Sequence, residues 1–242
     1  MAGHAAMLGR RRSGWLAGWP GRLLILFLLT LVSGVAGAPI AYMLWPAPKP
    51  IAAHAPSLPI TVGGVVFNVP PAAIRVGMQR HPGTQARIDL VFLWPSLRPP
   101  DGAARPSPHA MPDLSDRLFV TVSASDGTLA PLDRLRVIYP RYTAGTPVVG
   151  PDGLAVQTFR PGSPYQEEDL IHHPASAERF LLRCTRPGTP TPATCLHERR
   201  IGGADVTVRF PRQWLANWTE VADSIDRLLA NLKPSEIGTI AR

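Results

Sequence analysis

Residues 180–233, FLLRCTRPGTPTPATCLHERRIGGADVTVRFPRQWLANWTEVADSIDRLLANLK, decide the fold. Three short apolar runs, Phe180–Cys184, Cys195–Arg199 and Asp205–Phe210, follow one another with turn residues between them. The last two meet at Gly202–Gly203, a two-residue turn signal, so the segment reads as an antiparallel meander. Then the period changes. Trp214, Leu215, Trp218, Val221, Ala222, Ile225, Leu228, Leu229 and Leu232 recur at helical spacing and draw one apolar stripe. Asp223 and Arg227 stand four apart on the other face, and Lys233–Pro234 stops the helix. Strands followed by a helix with one stripe to bury predict an α+β, mostly β, antiparallel-sheet domain with its C-terminal amphipathic helix packed on it. A parallel α/β sheet is disfavoured, because crossover helices between the strands are missing.

Upstream, the same reading finds strands at Ile60–Val69, Ile88–Trp94, Leu118–Ser123, Leu135–Tyr139 and Leu154–Phe159. Gly63–Gly64 inside the first marks a bulge or a close backbone approach. The run Leu90–Trp94 is nearly continuous and suits a strand buried on both faces. Pro71–Gln79 reads as one or two helical turns, and Pro95–Pro112 and Pro161–Pro174 as loops. The 28 prolines favour short strands and long connections.

Further out lies a different kind of chain. No charged residue occurs between Arg22 and Lys49. Leu23–Leu44 as a helix would be about 33 Å long, against a hydrocarbon core of roughly 30 Å. Trp15 and Trp19 precede the stretch, and Tyr42 and Trp45 close it, as suits the two headgroup zones. Arg10, Arg11, Arg12 and Arg22 stand before it with no acidic residue among them, which places the N-terminus in the cytoplasm. A cleaved signal peptide ending at Ala36–Gly37–Ala38 is the competing reading. Pro39 after the cut and the continuation through Trp45 favour an uncleaved anchor. The expected organisation is a basic cytoplasmic tail (1–22), a transmembrane anchor (23–45), a proline-rich linker (46–59), an exported domain (60–233) and a flexible tail (234–242).

The formal charge is +8, and the four leading arginines account for half of it, leaving 21 basic against 17 acidic residues. The remainder is scattered without a basic stripe or interleaved aromatics, so nucleic acid is not an expected partner. The expected partners are the lipid bilayer, through Leu23–Trp45, and a protein of the envelope.

Cys184 and Cys195 end one predicted strand and begin the next, with ten residues between them. That is hairpin geometry for a structural disulfide in an oxidising compartment, worth about 3 kcal/mol in the chain-entropy model. A catalytic redox pair normally has two intervening residues at a helix start. His172–His173 sit beside Glu167, Glu168 and Asp169. Adjacent histidines point in different directions, whereas zinc proteases use histidines four apart on a helix, so no metal and no cofactor is expected. If the domain has a site, Tyr165, Glu168 and His172 on the loop Pro161–Pro174 are its first candidates as binding residues. A stripe with two tryptophans also suits docking on a membrane or a partner; Glu220, Asp223 and Asp226 argue against an anionic bilayer surface, and core packing is the expected use. The sequence thus reads as a single-pass inner-membrane protein with an extracytoplasmic, periplasmic-type binding or accessory domain. The alternative is an anchored hydrolase of envelope polymers built from Asp89, Glu168 and His172.

Overall fold

The structure is a computed structural model that describes residues 23–31, 37, 55–100, 115–188 and 192–234. It comprises two compact units, Met1–Lys49 and Pro50–Arg242. In the first, residues 23–31 form an exposed helix, α1. Among the described residues no helix is long and apolar enough to cross a membrane. The rest of the predicted anchor, the basic tail and most of the linker lie outside the described residues, as do 235–242.

The second unit is the mostly-β antiparallel domain with a C-terminal helix. Its main sheet has eight strands in the order β4-β5-β11-β10-β9-β8-β7-β6, every neighbouring pair antiparallel. These are β4 (Arg87–Leu93), β5 (Arg117–Ala124), β6 (Val148–Val149), β7 (Ala155–Thr158), β8 (Glu168–His172), β9 (Leu181–Thr185), β10 (Thr194–Ile201) and β11 (Ala204–Pro211). A three-stranded sheet has the order β2-β1-β3, from β1 (Leu58–Val62), β2 (Val65–Val69) and β3 (Gly83–Thr84). Helix α2 covers Pro131–Val137 and helix α3 Trp218–Leu232.

Period-two alternation sends one set of side chains from each strand to a common core. Leu90, Val120, Val208, Leu182 and Ile171 are all buried in it. Over that face lie Val221, Ile225, Leu228 and Leu232 of α3, together with Ile60, Val62, Phe67 and Val69 of the small sheet. The predicted helical stripe begins as a 3-10 segment, Arg212–Asn217, and becomes α-helical at Trp218. The opposite face carries a smaller cluster of Tyr139, Phe159, Leu170 and Leu181, against which Leu132, Leu135 and Tyr165 pack.

The structure corrects several expectations. Gly63–Gly64 marks a close backbone approach and not a bulge: both have positive φ and turn β1 back on β2, so the single predicted strand is a hairpin. That hairpin begins at Leu58, inside the predicted linker. Its turn abuts the β10–β11 turn so closely that a side chain at Gly63 would overlap the Gly203 carbonyl. Leu135–Tyr139 is not a strand. Pro131 starts a helix there, and Leu132 and Leu135, three apart, share one face against the tyrosine cluster. The loop Pro161–Pro174 contains β8, whose Leu170 and Ile171 enter the two cores on opposite sides of the sheet. Its charged ends concealed an apolar centre. Consecutive Leu90, Val91 and Phe92 of β4 are buried, as expected of a strand covered on both faces, although β4 stands at the edge of the sheet. Its free edge is capped by the Ile74–Leu90 bridge and by the Arg75 amide donating to the Asp89 carbonyl at 2.9 Å.

Candidate functional site

Two of the three candidate residues, Tyr165 and Glu168, meet around Arg183. Glu168 opens β8, and Arg183 of β9 projects from the same face of the sheet. Arg183 Nη1 donates to Glu168 Oε2 at 2.9 Å, and its guanidinium lies over the Tyr165 ring at 5.0 Å. Arg183 Nε is also 3.7 Å from Glu198 Oε2 of β10, while Arg134 Nη2 of α2 is 3.1 Å from the other oxygen of Glu198. Tyr165, Glu168, Arg183, Glu198 and Arg134 therefore form one chain of contacts across three strands and a helix. Tyr139, Tyr142 and Phe159 box in the Tyr165 ring at 4.9–5.9 Å. Burial pushes the Tyr139 phenol above its ordinary pKa. The cations and carboxylates here pair with one another, although the buried Nε atoms of Arg134 and Arg183 have no hydrogen-bond acceptor, and the cluster braces α2 and the Tyr165 loop against the sheet.

His172 is not part of it. It shares the face of Glu168 but lies four residues along the strand, about 13 Å away. Burial, then the neighbouring His173, pushes its pKa below the ordinary value. His173 goes to the other side, where its ring stands 5.2 Å from Trp218 and its Nδ1 2.9 Å from Ser176 Oγ. The residues proposed for a hydrolase do not converge either. Asp89 lies on β4, with β5, β11, β10 and β9 between it and β8, about 24 Å at normal strand spacing. A hydrogen bond from Arg87 holds the Asp89 carboxyl down at about 2 against burial, with Gln79 and Thr121 also donating to it.

The disulfide Cys184–Cys195 is formed, and the two residues are directly opposite in the β9–β10 register. Beside it Arg212 donates to Asp169 Oδ2 at 2.7 Å and to the carbonyls of Cys184 and Thr185. Asp169 is 6% exposed, so this ion pair is a buried one tying the start of the last helical segment to β8 and β9. His197 is deeper still, at 1% exposure, with Nδ1 3.1 Å from the Leu181 carbonyl and Phe180 stacked beside it. Burial, reinforced by Arg199, pushes its pKa down to about 4. The sequence shows Asp169 only as one of the polar residues beside His172–His173 and His197 only as a lone histidine, because each is one polar residue at an inward strand position. Among the described residues no three His, Cys, Asp or Glu side chains are grouped to hold a metal ion.

What the domain does offer is a notch in its sheet. Strand β10 pairs with β11 along its whole length but with β9 only at Cys195–His197. Where β9 stops, a cavity of about 480 Å³ opens between Glu198–Arg200 of β10, Ala177–Arg179, and the Ala130–Leu132 start of α2. A second of about 440 Å³ shares Arg199, Arg200 and Asp226 with it and continues to Leu229, Ala230 and Lys233 of α3. Asp226 serves two arginines, accepting from Arg199 Nη1 at 2.7 Å and Arg179 Nε at 3.0 Å. Arg179 also bonds Asp223. Burial opposes ionisation of Asp226, yet these arginines hold its carboxyl below the ordinary range. A third cavity of about 520 Å³, between β2, Pro99 and the end of α3, has Lys233 as its one charged lining residue among those described.

No family model matches this chain, and no curated protein matches it. Among solved structures, the fold is similar to that of an immunity protein of the Stenotrophomonas maltophilia type IV secretion system. The TM-score is 0.53 at 15% identity, over 78% of this chain and 100% of that one. The iron-regulated outer membrane lipoprotein FrpD of Neisseria meningitidis aligns at TM-score 0.38 and 10% identity, over 76% of this chain and 97% of that one.

Proposed function

We propose that the protein is a single-pass membrane protein of the cell envelope whose exported domain binds a protein partner. Leu23–Trp45 crosses the inner membrane with residues 1–22 in the cytoplasm, and a short proline-rich spacer leads to the α+β domain on the far side. The observation that carries the export is the Cys184–Cys195 disulfide, joined across a strand pair in a chain whose first apolar stretch follows four arginines. Binding is favoured over hydrolysis by where the polar groups stand. Asp89, Glu168 and His172 occupy separate places, and Asp89 and Glu168 are engaged by arginines of the same chain. A general base needs a partner and access to a substrate within hydrogen-bond reach. The immunity-protein neighbour supports the accessory reading only as a similar fold that serves as an immunity protein of a secretion system.

The test is in-membrane crosslinking of the tagged full-length protein, capture from mild detergent, and mass spectrometry. Reproducible enrichment of one envelope complex is the expected result. Recovery of the protein alone, in cells where it is needed, would overturn the partner reading and direct attention to activity on envelope polymers.

A further inference from the structure

We propose that the notch beside β10 receives an extended segment of the partner as an added, antiparallel strand, with apolar and acidic side chains alternating along that segment. This rests on the partner-binding reading above and specifies its geometry. Ile201 and Ala204 close a two-residue turn, so Ile201, Arg199, His197 and Cys195 direct their backbone groups toward β11. The 4.0 Å Cα separation of Cys184 and Cys195 agrees, since it marks a non-hydrogen-bonded pair with β9. The backbone groups of Leu196, Glu198 and Arg200 therefore face the β9 side. Leu196 is opposite Arg183 of β9, whereas Arg200 lies beyond the last β9 pairing and faces the cavity. The open edge is about four residues, roughly 13 Å, long enough for a short strand addition.

The two sides of the notch set the side-chain pattern. On the α2 side the wall is Pro131, Leu132 and Leu181, with the Glu198 carboxylate turned away onto Arg134 and Arg183. On the α3 side stand Arg179, Arg199 and Lys233; Asp226 is shared between the two arginines and Asp223 bonds Arg179, so three cations face two carboxylates. Lys233 has no ion pair among the described residues. A strand lying in the notch places alternate side chains on these two sides, apolar toward Leu132 and acidic toward Arg199 and Lys233.

The full-length protein in nanodiscs is titrated against fluorescein-labelled Gly-Val-Glu-Val-Glu-Gly and its charge-reversed counterpart Gly-Val-Lys-Val-Lys-Gly, read by anisotropy. The acidic peptide binds and weakens with salt; the basic one does not. Arg200→Pro removes an outward N–H without touching the β11 ladder and weakens binding about tenfold or more, whereas Arg200→Ala weakens it less. Lys233→Glu, at an exposed helix end, reverses the charge preference and guards against misfolding of the proline variant. No binding by the native chain, equal binding of both peptides, or unaltered binding by Arg200→Pro together with an unaltered preference in Lys233→Glu overturns the proposal. Repeating the in-membrane capture with Arg200→Pro separates the two readings. A partner held equally by both chains removes the notch and leaves partner binding standing. A partner absent from both removes the parent reading, and one lost from the variant alone supports the notch.

Discussion

On the α3 side of the main sheet, the strands present Leu90, Val120, Val208, Leu182 and Ile171 in sequence across its width, and a helix and a small sheet cover them. On the other side, the same strands present Asp89, Thr121, Glu198, Arg183 and Glu168, interleaved with a small patch of tyrosine, phenylalanine and leucine. The first side is held by apolar area, which is non-directional and tolerates many sequences. The second is held by pairs that require a particular register and a particular partner. Partner choice is a property of the second kind, and it is there and at the broken edge of β10 that the domain has polar groups placed with accuracy.

The difference is open to attack in order of size. Ile225→Ala on the apolar side is expected to cost about 2–5 kcal/mol, read by urea denaturation. Replacing Cys184 and Cys195 together by Ala is expected to cost about 3 kcal/mol under oxidising conditions, and reduction of the native protein should reproduce that loss.

His197 sharpens the comparison, because it is a titratable group inside the apolar side. Its folded pKa lies below its ordinary 6.5, at about 4. Its contribution is therefore fully present above pH 6.5 and is lost as pH falls from 6.5 toward 4. The full loss is about 3 kcal/mol. Melting curves over that range should show His197→Leu with a flatter pH dependence than the native chain. A native slope retained by the variant would place the acid sensitivity elsewhere.

On the paired side, Arg183→Ala strips Glu168 of its cation and leaves Glu198 with Arg134 alone, and is expected to cost about 1–3 kcal/mol. The exposed pair Arg87–Asp89 should matter least, with Arg87→Ala costing about 0–1 kcal/mol. If Arg183→Ala destabilises as much as Ile225→Ala, the division between the two sides of the sheet is wrong.

What the sequence made legible follows the same division. The β9–β10–β11 meander and α3 were readable because their apolar residues repeat at fixed periods on one covered face. The disulfide was readable because the two cysteines bracket a turn. Strand β8 was hidden because burial on both sides puts Leu170 and Ile171 next to each other and leaves Glu168, Asp169 and His172 to dominate its composition. Helix α2 was hidden because seven residues give only two apolar contacts at helical spacing. Tyr165 and Glu168 were identified, but the residue joining them was not, since Arg183 on a strand looks like any solvated arginine until the register is known. The notch had no sequence signal at all: it exists because β9 ends before β10 does, a fact of pairing rather than of residue type.

The most direct measurement places a photo-crosslinking amino acid at position 200 or at position 87 of the full-length protein in intact cells. Both positions lie on the main sheet, one at the open edge of β10 and one on the far strand β4. A discrete adduct from position 200 and none from position 87 is the result the account predicts. An adduct from position 87 alone, equal adducts from both, or none from either would contradict it.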